Sequence, residues 1–306
     1  MSRIWSGVLP AVTTPFTENL RIDHTALAEH ARWMVDEGCP GVIVGGSLGE
    51  GATLRASERS DIAATVVGAL GGRGVVIAAV ASLSTAEAID VATAAGEAGV
   101  DGLMVLPPYA YSTDEREMTA HVGAVLEATH LPCMLYNNPL AYVTDYRPEH
   151  ILRLAHEFPQ LQAVKESSAD IRRITALRAI TEDRLDILVG VDDLLVEGVF
   201  AGATGWVAGL CNALPAESVA LFRLAQQGPS DQLDALYRWF LPLLRLDVDV
   251  KLVQLIKLVQ AEVGRGSPRV RPPRLELDGA ELAAARRVIQ AALKARPKVG
   301  KATVVK

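Results

Sequence analysis

Lysine is scarce in this chain of 306 residues. Lys and Arg together number 30, and only seven are Lys: Lys165, Lys251, Lys257, Lys294, Lys298, Lys301 and Lys306. Before position 251, Lys165 stands alone. Cysteine is scarcer still. Cys39, Cys133 and Cys211 are an odd, scattered set, which excludes a disulfide framework and suits a reducing cytoplasm. Aromatic residues make up 5%, and no aromatic-basic stripe of the kind that binds single-stranded nucleic acid is present. The formal charge of −6 argues against nucleic acid or an anionic membrane as the main partner. No run approaches the ~20 apolar residues that span a bilayer. Met1–Trp5 has no apolar core, so no targeting segment is expected and a cytoplasmic location is. Half the residues are hydrophobic and 22% are charged, which excludes a disordered chain.

What is present is an alternation of short apolar runs with longer amphipathic ones. Strands are predicted at Gly7–Thr13, Gly41–Gly45, Val75–Ala79, Gly102–Leu106, Cys133–Tyr136, Leu161–Lys165, Leu185–Val189 and Gly205–Ala208. Helices follow each, the first opened by Asp23, the second capped by Ser57 and the third by Ser84. Continuous apolar strands suit a parallel sheet buried on both faces. Eight such units within residues 1–228 predict a closed (β/α)8 TIM barrel. The alternative is a doubly wound open sheet, which expects a glycine-rich first turn. Here that turn is Thr14-Pro15-Phe16-Thr17-Glu18-Asn19, without glycine. Residues 229–296 read as a C-terminal extension of three helices, and 297–306 as a flexible tail.

The active site of such a barrel lies at the C-terminal ends of its strands. There the chain places Gly45–Gly51, Pro107–Tyr111, Tyr136–Pro139, Lys165–Ser168 and Gly190–Asp193. Lys165 ends a buried strand, where lost hydration lowers an amine's pKa from about 10.4 and makes it a nucleophile toward carbonyls. A structural role, paired with Glu166 or Asp192, is the alternative. The composition favours chemistry. At every other basic position before 251 the chain writes Arg or His, and a guanidinium cannot deprotonate. Tyr136 offers a phenol able to shuttle a proton, or merely caps the core. The Gly45–Gly51 turn, with Ser47, offers backbone N–H groups to a carboxylate, or needs its glycines only for backbone freedom. It lacks the spacing of a phosphate loop. The six histidines lie on or beside helices, so no metal is expected. Asp192 and Asp193 read as helix caps, and Cys133 and Cys211 as packed small residues.

Together Gly46-Ser47-Leu48-Gly49-Glu50, Tyr136-Asn137-Asn138-Pro139 and Lys165-Glu166-Ser167 resemble the dihydrodipicolinate synthase / N-acetylneuraminate lyase family, over Gly7 to about Leu293. The resemblance implies a lysine imine between Lys165 and a 2-keto carbon, with no cofactor. It implies Tyr136 as proton shuttle, Ser47 as a hydroxyl of the relay and Tyr109 as a tyrosine donated across a dimer interface. Gly46, Ser47, Leu48 and Val191 would line the substrate, with the Ser47 and Leu48 backbone holding its carboxylate. A homotetramer built as a dimer of dimers is implied as well. The chain departs from the synthases at Ala141, where they carry an Arg for a second carboxylate, and at Leu48 and Val191, where they carry Thr and commonly Gly. The run Arg172–Thr175, Gly190–Asp193, Gly205–Leu210 and Lys251–Gln254 looks like the branch of 1-pyrroline-4-hydroxy-2-carboxylate deaminases of hydroxyproline catabolism. Alternatives are 4-hydroxy-tetrahydrodipicolinate synthase, another pyruvate-dependent aldolase or keto-deoxy-acid dehydratase, or a keto-acid-binding protein without chemistry.

Overall fold

The computed structural model describes residues 4–109 and 114–300. Ala110, Tyr111 and Thr113, expected at the end of strand four and the start of its helix, lie outside the described residues, as do Met1–Arg3 and residues 301–306.

Eight strands form one parallel sheet: β1 (Gly7–Pro10), β2 (Gly41–Val44), β3 (Val75–Val80), β4 (Gly102–Val105), β5 (Cys133–Asn137), β6 (Leu161–Glu166), β7 (Asp186–Val189) and β8 (Gly205–Ala208). β2 to β8 pair in chain order, and β1 pairs with β8. A parallel bridge between Ala11 and Ile43 brings β1 to β2 and completes the ring. The (β/α)8 barrel expected from the apolar runs is the fold observed. Leu9, Ile43, Ile77, Leu103, Leu135, Val164, Leu188 and Trp206 are fully buried, so both faces of the sheet are covered. Each such aliphatic contributes about 1.5–3 kcal/mol.

Helices α1 (His24–Asp36), α2 (Ala56–Leu70), α3 (Thr85–Glu97), α4 (Glu115–Glu127), α5 (Pro139–Tyr142), α6 (Pro148–Glu157), α7 (Ile171–Thr181), α8 (Leu195–Phe200) and α9 (Pro215–Gln227) alternate with the strands. Asp23 and Ser84 cap α1 and α3 through side-chain acceptance from Ala26 and Glu87. Ser57 does not cap α2. The helix starts two residues earlier than a Ser57 cap would set it, Arg55 is the boundary residue, and the Glu58 carboxylate accepts its amide at 3.0 Å. The short α5 was not expected. Asn138 caps it by accepting from the Ala141 amide at 3.1 Å, and Pro139 pre-sets its first turn.

Three helices follow the barrel: α10 (Asp231–Leu244), α11 (Leu252–Glu262) and α12 (Gly279–Lys294). A 3₁₀ turn, Arg245–Val248, leaves α10 and carries the chain back toward the barrel mouth. Val299, expected in the flexible tail, is partly buried against the core.

Candidate functional site

Strand register assembles the centre of the site. Tyr136 on β5 is the direct partner of Lys165 on β6, so the two side chains leave the sheet on one face. Lys165 pairs in turn with Leu188 on β7. Two residues further on, the same face offers Gly190 and no side chain. Lys165 is 7% exposed, and its Nζ lies 4.0 Å from the centroid of the Tyr136 ring. Burial lowers its pKa, against the opposing pull of Asp247, Tyr142 and Asp192. No carboxylate of the described residues makes an ion pair with it. Glu166, the sequence neighbour considered as a partner, instead accepts from Asn137 Nδ2 at 3.1 Å and from the Ser168 amide at 2.7 Å. The amine is thus buried, unpaired and shifted toward its neutral form.

The Tyr136 hydroxyl accepts from Asn138 Nδ2 at 3.0 Å. Burial raises its pKa; Asn138, and to a lesser degree Ser167 and Ser47, act in the opposite direction. Neither serine makes a well-formed hydrogen bond to it. The Ser47 hydroxyl is engaged instead by the hydroxyl of Tyr142, on α5. Burial pushes the Tyr142 phenol up to about 12. Its ring meets Tyr136 edge-on at 5.9 Å and Tyr109 at 5.4 Å. Tyr142 was missed from the sequence. The Asn138-Pro139 pair, a cap followed by a first-turn proline, was the signal that a helix there would carry it inward.

Ser47 and Leu48 sit in the turn after β2. The Glu50 and Gly51 amides are used within the turn, donating to Ser47 and Gly46 carbonyls, whereas those of Ser47 and Leu48 donate to no described group. Glu50 holds the turn from behind. It has a left-handed backbone, φ 57°, and is fully buried. Its carboxylate accepts from Lys257 Nζ at 2.5 Å and from the Arg271 amide at 2.9 Å. Lys257, on α11, is therefore a second interior lysine, 2% exposed.

Asp192 does not cap its own helix. Its carboxylate accepts from Trp206 Nε1 at 2.9 Å, the Leu210 amide at 2.8 Å and the Gly209 amide at 3.1 Å. It thereby ties β7 to the turn after β8. Burial raises its pKa to about 6, while these donors pull it down.

Gly46, Ser47, Leu48, Tyr136, Ala141, Tyr142, Lys165 and Asp247 line one cavity of about 110 Å³, with Val207 and Leu252. Val191 lies elsewhere, beside Glu166, Ser168 and Leu194. A larger cavity of about 250 Å³ lies between β2, β3, α2 and α3. Its guanidinium, from Arg59, is taken by the Ala81 and Gly51 carbonyls, and neither Lys165 nor Tyr136 reaches it. Among the described residues no group of His, Cys, Asp and Glu is placed to hold a metal ion. No described helix is long and apolar enough to cross a membrane.

Known proteins agree with this architecture. The model of the dihydrodipicolinate synthetase family matches residues 4–292. A 4-hydroxy-tetrahydrodipicolinate synthase of Anaplasma marginale is 30% identical over 285 residues, covering 93% of this chain and 94% of the relative. The crystal structure of a dihydrodipicolinate synthase of Bacillus anthracis superposes with a TM-score of 0.90 at 27% identity, covering 94% of this chain and 98% of that one. A prophage protein of the same family from E. coli K12, solved in complex with pyruvate, superposes with a TM-score of 0.89 at 25% identity, covering 95% and 99%. The chain belongs to the dihydrodipicolinate synthetase family, whose members are lyases that work through a covalent lysine imine and need no cofactor.

Proposed function

We propose that this enzyme is a 1-pyrroline-4-hydroxy-2-carboxylate deaminase, working as a cytoplasmic homotetramer. The observation that carries the reading is the make-up of the cavity: Lys165 is the one basic residue among its described lining residues, and Ala141 and Leu48 are apolar where they line it. A substrate with one carboxylate and no second anion suits such a site.

In this reading the substrate carboxylate sits on the free amides of Ser47 and Leu48. Neutral Lys165 adds to C2, and the ring nitrogen leaves C2 as an amine still attached to C5. The resulting iminium acidifies C3–H. Tyr136, having given its phenolic proton to the departing ring nitrogen, takes the C3 proton in its place, with Asn138 holding its hydroxyl and the Ser47–Tyr142 pair beside it. The electron pair expels the C4 hydroxyl as water. Tautomerisation brings the C5 amine into conjugation as an imine. Two hydrolyses then release ammonia from C5 and free Lys165 from C2, leaving 2-oxoglutarate semialdehyde. One water is lost and two are consumed. In the same reading Tyr109, whose ring meets that of Tyr142, extends the relay toward a neighbouring subunit.

The competing reading is 4-hydroxy-tetrahydrodipicolinate synthase, the name carried by the relative from Anaplasma marginale. Two assays separate them. Ammonia release from the hydroxylated cyclic imine is expected from the wild-type protein and not from Lys165→Arg. Turnover of pyruvate with aspartate semialdehyde, with no ammonia release from the imine, would replace the deaminase by the synthase. Sedimentation velocity tests the tetramer.

A further inference from the structure

The helical extension sends one carboxylate into the cavity, and the chemistry above has not used it. Asp247 lies on the 3₁₀ turn after α10, far in sequence from any strand end. It nevertheless lines the cavity with Lys165, Tyr136 and Ala141. Its carboxyl rests on the backbone of Gly209: a methyl group there would stand 1.8 Å from Asp247 Oδ1. The Gly209 and Leu210 amides and the Trp206 indole are already committed to Asp192. No described group donates a hydrogen bond to Asp247.

We propose that Asp247 is the acid that protonates the leaving C4 hydroxyl, and that the site therefore takes substrates with a hydroxyl two carbons beyond the imine carbon. The inference rests on the deaminase reading. Two acids share this corner, and their surroundings separate them. Asp192, with four donor contacts, is the one equipped to stay ionised. Asp247, with no hydrogen-bond donor among the described residues and set near Asp192, Asp193, Lys165 and Tyr136, is the one whose surroundings favour the protonated form. Asp193 is turned toward Arg245, at 3.7 Å. Asp247 is half-buried, and its lost hydration first and the Asp192 charge second raise its pKa above that of an ordinary aspartate, while Lys165 opposes the shift.

The step balances. The enamine formed by loss of the C3 proton returns its electron pair through C3 to make the C3–C4 double bond. The C4–O bond breaks with its electrons, and the oxygen takes the Asp247 proton and leaves as water. Asp247 becomes a carboxylate and is reprotonated from solvent.

The test compares wild type with Asp247→Asn on the 4-hydroxy imine and on its 4-fluoro analogue, whose leaving group needs no proton. Ammonia release from the hydroxylated substrate is expected to fall about 10²–10³-fold in Asp247→Asn. On the fluoro analogue the loss is expected to shrink to less than about tenfold. Borohydride trapping of pyruvate on Lys165 confirms that the variant still builds its site. Equal losses on both leaving groups, or no loss on the hydroxyl, would overturn the role of Asp247. A wild-type protein that releases no ammonia from either substrate would instead overturn the deaminase reading beneath it.

Discussion

Lys165 occupies the space that Gly190 leaves empty. A methyl group on Gly190 would stand 2.7 Å from Lys165 Cε and 1.9 Å from Ser167 Oγ. Neighbouring strands of a parallel sheet project side chains to one face in register, so a glycine two residues beyond Leu188 clears the path of the lysine. Gly190→Ala is expected to fold, because the clash is with the flexible end of one side chain and a small hydroxyl. It is expected to slow imine formation with pyruvate at least tenfold, read as the rate of borohydride-trapped adduct by mass spectrometry. Adduct formation at the wild-type rate would mean that the lysine does not need this space.

Tyr142 provides a second test. Its hydroxyl engages Ser47, and its ring stands between Tyr136 and Tyr109. Tyr142→Phe keeps the ring packing and removes only the hydroxyl. The expected result is a kcat lowered by about 10–10²-fold with the Lys165 adduct still formed, because proton relay, not carbonyl attack, loses its partner. The check is a comparison of steady-state turnover with single-turnover trapping. A fall in trapping equal to the fall in kcat would place Tyr142 in binding instead.

The barrel was legible because its strands announce themselves twice, as continuous apolar runs and by their regular spacing with amphipathic helices. Lys165 and Tyr136 were legible because each sits at the end of such a run, where position along the strand fixes the direction of the side chain. Tyr142 and Asp247 were not. Tyr142 belongs to a one-turn helix, too short for hydrophobic periodicity to register. Asp247 reaches the cavity from a turn in the helical extension, and only the three-dimensional packing of that turn over Gly209 places it there. Val191, which the resemblance put against the substrate, lines a separate small cavity with Glu166, Ser168 and Leu194. Lys257 was hidden for a related reason: its partner, Glu50, lies 207 residues away in sequence.

The acid and base of the site give a pH signature with two limbs. Lys165 must be neutral to attack, and burial lowers its pKa from the ordinary lysine value. Trapping of pyruvate is therefore expected to fall as the pH drops through that lowered value and to show no alkaline loss. Asp247 must be protonated to release water, and its pKa is raised. Ammonia release is expected to carry the same acid limb and, in addition, a decline as the pH rises through the Asp247 value. In Asp247→Asn the alkaline limb disappears. An identical profile for both assays would remove the acid from the elimination step.

Glu50 and Lys257 join the turn that carries Ser47 to helix α11, and both are buried. Removing one member leaves the other charged and unpaired, which costs about 3–5 kcal/mol. Lys257→Met and Glu50→Gln are each expected to lower stability by that order in urea unfolding. The double variant is expected to recover part of the loss, since the two penalties share one cause. Strictly additive losses would show that the pair is not coupled.

His30 predicts how stability responds to acid. It is buried on α1, with Nε2 at 3.1 Å from Asn212 Oδ1. Burial, aided by the nearby charge of Arg265 and opposed by Asn212, lowers its pKa from 6.5 to about 4. The folded protein thus keeps the ring neutral where the unfolded chain binds a proton. Between those two values the unfolded state holds more protons, so stability rises with pH and falls as pH drops below 6.5. From pH 7 to pH 5 the loss attributable to His30 is about 2 kcal/mol, taking about 1.4 kcal/mol per pKa unit. In His30→Gln this component vanishes while the carboxylates titrate as before. The measurement is the difference in unfolding free energy between wild type and variant at pH 7 and pH 5. The difference is expected to shift by about 2 kcal/mol in favour of the variant at the lower pH. A difference that does not change with pH would mean that His30 is protonated in the fold or reached by solvent.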